Sequence, residues 1–302
     1  MKNSIINSMT SINNLSEVEI SFIIKNKKAE YRPQISNDVK CRIIELIAGY
    51  LNSRLANDEL VPYDSTGVLD NQIEFMDISV LLNSVHCANF FDDKLQLEET
   101  NLQPEKIDYY EIIIKNNNNN QIMKVYRQFQ KMKQLRKGLF SFMHNHELKR
   151  IDGNIICIDG TIDILIWNNQ VIIFNHIALE RILNFKDVFI EKTMEAIAKL
   201  KHEDIMLNVE QFEDDCINDS RIIKKFHKIM TQNKLNLFFK HFSKVKTIVD
   251  ELGFNISFSK DGKIIYEDKK QLFHIVNLMS DSYFRSLLAN RIGIAEKEGN
   301  IR

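Results

Sequence analysis

Asp163 and the pair Asn175-His176 are the residues of this chain whose types and spacing come nearest to a reaction centre. Asp163 stands before the apolar run Ile164–Trp167, and Phe174-Asn175-His176 closes the run after it. Many nucleases set an acid on one strand and an acid-x-Lys on its neighbour, where they hold Mg²⁺ and activate water. Here the second acid and the Lys are missing, so Asp163 with Asp159, Asn175 or His176 would make only a degenerate version. The plainer expectation is that Asp163 sits at a strand start and bonds a turn. His144 and His146 would share one face of a strand. A zinc site takes three or four ligands, and no second cluster supplies the rest. No catalytic constellation is complete, no metal set is evident and no cofactor is implied, which favours a binding protein over an enzyme.

Charge is the stronger signal. The 302 residues sum to −1, but unevenly: residues 1–120 hold 11 basic against 18 acidic side chains, 121–150 hold 8 against 1, 151–220 hold 5 against 14, and 221–302 hold 16 against 8. Such segregation suits an anionic partner, or acidic and basic faces that meet in an oligomer. The first basic block runs Lys124, Arg127, Lys131, Lys133, Arg136 and Lys137, with Tyr126 and Phe129 between the charges. Cations can grip phosphates and aromatics can stack on unpaired bases. Lys224, Lys225 and Lys228 fall within one helical turn, and Lys240 and Lys244 follow. These eleven residues are the expected DNA contacts, with Arg285 and Arg291 as weaker additions.

The elements that must position them follow from periodicity. Ile155–Ile158, Ile162–Trp167 and Val171–Phe174 read as a three-stranded antiparallel meander, turned at Asp159-Gly160 and Asn168-Asn169. The helix after it, bent near Asn184, is expected to pack across those strands. The clearest hairpin is 107–115 with 121–129, joined by Asn116–Asn120. Upstream, 1–16 reads as a loose tail, 17–25 and 29–35 as strands with the second at an edge because of Pro33, and 37–56 as a helix. A loop over 57–71, a short strand at 73–75 and a helix over 78–91 follow. Downstream, helices are expected over 209–217, 219–230, 237–252 and 269–279, with a hairpin of 254–258 and 264–267 around Lys260-Asp261-Gly262. The class is therefore α+β: an antiparallel meander sheet packed by helices over 1–205, then a smaller helix-hairpin-helix part over 206–302.

No apolar run approaches the ~18–20 residues of a membrane span, and the polar N-terminus has no signal core. The expected compartment is the cytoplasm. Cys41, Cys87, Cys157 and Cys216 form no CxxC pair, which suits reduced, mostly buried thiols.

Two stretches carry a family resemblance: IDGTIDILIWNNQVIIFNHIALERILNF at 158–185 and QLFHIVNLMSDSYFRSLLANR at 271–291. They resemble the KwaB-like proteins, the B subunit of the Kiwa antiphage defence system. Glu180-Arg181-Ile182 match a family helix, with Leu179 where the family has Phe. Leu278, Asp281, Tyr283, Ser286 and Leu288 match its C-terminal pattern, whereas 293–302 depart from it. VLDNQIEFMDIS at 68–79 fits more loosely. The resemblance implies a defence protein that binds double-stranded DNA without marked sequence preference and blocks phage replication. Its implied partner is a membrane-embedded Kiwa A subunit, which would recruit it to the inner face of the membrane, and a homodimer or larger homo-oligomer is expected. The alternatives are a degenerate metal-dependent nuclease around Asp163 and a purely structural assembly subunit.

Overall fold

The computed structural model describes residues 1–10, 17–67, 69–82, 96–97, 106–116, 121–129, 141–144, 147–150, 156–286 and 291–295. The chain divides into two compact units, one of residues 1–63 and 68–184 and one of 64–67 and 185–302.

The first unit opens with helix α1 (Lys2–Thr10), where a loose tail was expected. Its Ile5 is fully buried in the core of this unit. Strand β1 (Glu17–Ile24) turns through Lys28, in left-handed geometry, into β2 (Ala29–Tyr31). Helix α2 (Asn37–Asn57) buries Ile43, Ile47, Leu51 and Leu55. These recur every four residues, the repeat of one helix face. Val39 in its first turn faces solvent.

The stretch expected as a loop contains β3 (Glu59–Pro62), parallel to β4 (Gln72–Asp77). Helix α3 (Ile78–Leu82) is short, and the rest of that expected helix lies outside the described residues. Strand β5 (Gln96–Leu97) runs parallel to β2, so β2 is not the edge that Pro33 suggested. Strands β6 (Tyr109–Asn116) and β7 (Gln121–Gln128) form the expected hairpin in full register. β8 (Ser141–His144) and β9 (Glu147–Arg150) make a separate two-stranded ribbon. His146 and Lys131, Lys133, Arg136 and Lys137 lie outside the described residues.

β10 (Ile164–Trp167) and β11 (Gln170–Ile173) pair through Asn168 and Asn169, both at positive φ. That is the geometry two-residue hairpins demand. The meander loses its expected first strand, because 156–163 carries no strand. The other edge of β10 pairs with β7 instead, and β11 pairs with β4. Among the described residues the result is a sheet in the order β3-β4-β11-β10-β7-β6-β1-β2-β5. It is antiparallel except at its two ends.

Helix α4 (His176–Ile182) closes the first unit and is capped by the Asn175 side chain, which accepts from the Ala178 N–H at 3.2 Å. Asn184 at φ 54° breaks it from α5 (Phe185–Glu203), where only a bend was expected. The helix packed on the sheet core is α2 rather than α5, whose Ala196, Ile197 and Leu200 belong to the second unit's core. The reason is placement: α2 presents a buried stripe to the face shared by Ile112, Ile114, Val125 and Leu165.

In the second unit β12 (Met206–Leu207) leads into α6 (Val209–Ile217) and α7 (Ser220–Thr231), the latter capped by Asp219. The helix expected over 237–252 is two: α8 (Lys234–Lys240) and α9 (Val245–Leu252), separated by a 3-10 turn and stopped by Gly253 at φ 66°. β13 (Ser257–Phe258) and β14 (Ile264–Ile265) pair around Gly262 at φ 80°, and β12 adds to β14 in parallel. α10 (Lys269–Met279) buries Leu272, Ile275, Val276 and Met279. An unexpected ribbon follows, β15 (Tyr283–Arg285) with β16 (Ile292–Ile294). Of the described cysteines only Cys216 is buried, and Cys157 is exposed.

Candidate nucleic-acid interface

On β7 the side chains of Met123, Val125 and Arg127 share one face by the period of two, and Met123 and Val125 are core residues. Arg127 therefore points inward and is only 7% exposed. Its Nη1 donates to Asp163 Oδ1 at 2.8 Å, and its Nη2 donates to Asp159 Oδ2 at 3.1 Å. Asp163, 0% exposed, also accepts from the Gln128 backbone N–H at 2.7 Å and from Asn175 Nδ2 at 3.0 Å. Burial would lower the Arg127 pKa, but Asp159 and Asp163 outweigh it and raise it. The guanidinium thus occupies the space between the two acids that a nuclease would give to a cation. The arrangement joins β7, the start of β10 and the cap of α4.

His176 is drawn into a different group. Its Nδ1 lies 2.8 Å from Glu74 Oε2 and its Nε2 lies 3.0 Å from Glu180 Oε1, with the Tyr63 ring stacked at 5.3 Å. Burial would lower the imidazole pKa, but Glu180 and Glu74 overcome it and push it up to about 9. The ring lies between two carboxylates, hydrogen-bonded to Glu74 through Nδ1 and close to Glu180 through Nε2, and the raised pKa favours the imidazolium over a general base at neutral pH.

The basic residues sort by what they touch. Lys124 lies 3.9 Å from Glu111, a half-exposed pair. Lys225 donates to Asn277 Oδ1 and sits over the Phe273 ring at 4.4 Å. Lys228 donates to Asp64 at 2.8 Å. Lys224 is half-buried, and its carbonyl accepts from Ser65 Oγ at 2.9 Å. Lys240 and Lys244 are exposed, as is Lys246 two residues on. Among the described residues none of these three is paired with a carboxylate. Of the seven expected contacts among the described residues, then, Arg127 is turned into the core, while Lys240 and Lys244 are exposed.

Lys244 also lines a cleft of about 420 Å³ in the second unit, walled by α8, α9, the end of α10 and the β15–β16 ribbon. Lys234, His241 and Arg285 share its lining with Glu251 and Asp281, and Leu237, Ile248 and Phe284 supply apolar surface. Lys234 donates to the Ser280 carbonyl at 2.9 Å, and Arg285 is 3.5 Å from Glu251 in an exposed pair. Sequence reasoning named Arg285 and Lys244 separately. It missed the cleft because nothing local announces that a helix end and a three-residue ribbon will meet.

A family profile described as Kiwa protein KwaB-like matches residues 104–289, well over half of the chain. The chain belongs to the KwaB-like family. No curated protein and no solved structure matches it. The matched span begins just before β6 and ends beyond β15, so the Arg127–Asp163 pair and the cleft helices of this KwaB-like chain both fall inside it. Membership places it in Kiwa antiphage defence.

Proposed function

We propose that this KwaB-like chain binds double-stranded DNA through its phosphates, largely without sequence preference, and thereby blocks phage replication. The observation that carries this reading is the exposed row Lys240, Lys244 and Lys246, free of carboxylate partners among the described residues. Unneutralised lysines release counterions when they meet a phosphate chain, and that release drives sequence-independent affinity. Lys131, Lys133, Arg136 and Lys137, outside the described residues, are proposed as further phosphate contacts. The full proposal sets the chain beside a membrane-embedded A subunit, as a homodimer or larger homo-oligomer. No helix among the described residues is long and apolar enough to cross a membrane, and in this proposal membrane association runs through the A subunit.

The test is a mobility shift on a DNA duplex at two salt concentrations, with and without Mg²⁺. Affinity should fall steeply with salt and the DNA should stay intact. A shift insensitive to salt, or none at low salt, overturns the reading. Cleavage that vanishes in Asp163→Ala would instead restore the nuclease.

A further inference from the structure

In the cleft of the second unit one polar atom has no hydrogen-bond partner among the described residues. Asn277 on α10 is 0% exposed and lines the cleft. Its Oδ1 accepts from Lys225 Nζ, and an ammonium can only donate, so the amide orientation is decided. The Nδ2 hydrogens must then face the other way, and among the described residues Nδ2 has no hydrogen-bond partner. The nearby Tyr283 hydroxyl feels the amide, which opposes the rise that burial imposes on its pKa. That hydroxyl bonds His274 Nδ1 at 2.8 Å, and its approach to Asn277 Nδ2 falls short of hydrogen-bond geometry. A buried donor without an acceptor carries the full penalty of its desolvation, which an acceptor on a ligand would remove.

The wall beside it is an aromatic platform. Phe284 on β15 lies opposite Gly293 on β16, and a Cβ on Gly293 would come within 2.6 Å of the Phe284 ring. The ring thus rests on the glycine, in space that only a missing side chain leaves. Phe284 remains 50% exposed and lines the cleft. The His274–Tyr283 bond ties its strand to α10, and His274 in turn stacks on Phe254 at 4.2 Å. Lys244 and Arg285 bring positive charge to the same cleft.

We propose that this cleft binds one unpaired nucleobase of a nucleic-acid strand. The base stacks on Phe284, a base carbonyl or ring nitrogen accepts from Asn277 Nδ2, and the adjoining phosphate meets Lys244 and Arg285. The volume of about 420 Å³ falls within the range of small-ligand sites. A fatty acid would satisfy the apolar walls, but its aliphatic chain offers Phe284 no stacking partner. The inference rests on the nucleic-acid reading above and adds to it a preference for strands with exposed bases.

The experiment is a fluorescence anisotropy titration of the full chain with a labelled single-stranded oligodeoxynucleotide and with a duplex of the same length. Competition by thymidine monophosphate, inorganic phosphate and decanoate follows. The single strand should bind more tightly, and the nucleotide should displace it where inorganic phosphate does not. Phe284→Ala should weaken single-strand binding about tenfold, the effect of removing one stacked base. Gly293→Val, which displaces the ring without deleting it, should weaken it in the same direction, with melting curves to confirm the fold. Equal affinity for both strand forms and no effect of Phe284→Ala overturns the proposal while leaving phosphate binding intact. Displacement by decanoate but not by the nucleotide also overturns it. Single-strand binding that depends on Phe284, with no duplex binding, upholds the cleft and sinks the duplex reading.

Discussion

Arg127 Nη1 stands 2.8 Å from Asp163 Oδ1, and the two side chains are 9% and 1% exposed. Strand β7 brings the cation into the core and β10 brings the acid, so the pair fastens two neighbouring strands. Truncating one partner of a buried ion pair strands the other charge, at a cost of about 3–5 kcal/mol. Arg127→Ala should therefore lower the unfolding free energy by that order in urea denaturation. The double variant Arg127→Met with Asp163→Leu should recover part of the loss. Equal stability of wild type and Arg127→Ala would show that the pair is not closed in solution.

His176 predicts an alkaline weakness. Its pKa is about 9 in the folded chain against 6.5 for an ordinary imidazole. The folded state holds the proton more tightly, so the stabilisation is complete below pH 6.5 and fades as pH rises through about 9. Its size is on the order of 3 kcal/mol at most. Thermal melts from pH 6 upward should show a decline that Glu74→Gln flattens. An unchanged slope in that variant would rule the imidazolium out as the cause.

His227 predicts the opposite limb. Burial, with Lys192 adding to it, pushes its pKa down to about 4, and Asp64 opposes them only in part. The neutral ring packs against Phe189 at 5.1 Å. Protonating it works against folding, so stability should hold above pH 6.5 and fall as pH drops toward about 4. His227→Phe should remove that dependence in melts across the acid range.

The three exposed lysines predict a change in salt response without a change in fold. Lys240, Lys244 and Lys246 each substituted by Gln should leave the melting temperature within error, since exposed substitutions shift stability by about 0.5 kcal/mol or less. The slope of log affinity against log salt on duplex DNA should become shallower by about one for each phosphate no longer met by a lysine. A slope that stays the same would move the interface elsewhere, with 131–137 next to be changed.

Gly253 predicts a modest loss at the end of α9. Its φ of 66° is left-handed, and a side chain there costs about 1–2 kcal/mol. Gly253→Ala should lower stability by that order in chemical denaturation, and Gly253→Asn by less, since Asn visits this region more readily.

What could be read from the sequence was what neighbours decide between themselves. The β6–β7 register, the Asn168-Asn169 turn and the hairpin turn at Gly262 all depend on residues a few positions apart. Helical and strand periods carried the α+β class. The inward turn of Arg127 was legible too, because it falls in step with Met123, Val125 and Phe129. Its chemistry was not, since Asp163 is 36 positions away.

Only the tertiary structure decided which helix covers the sheet, which lysines stay open, and that Asn277 meets Lys225 52 positions earlier. The physical reason is common to all three. Burial turns a charge or an amide from a solvated group into one that must find a partner, and the partner is chosen by how the strands and helices pack.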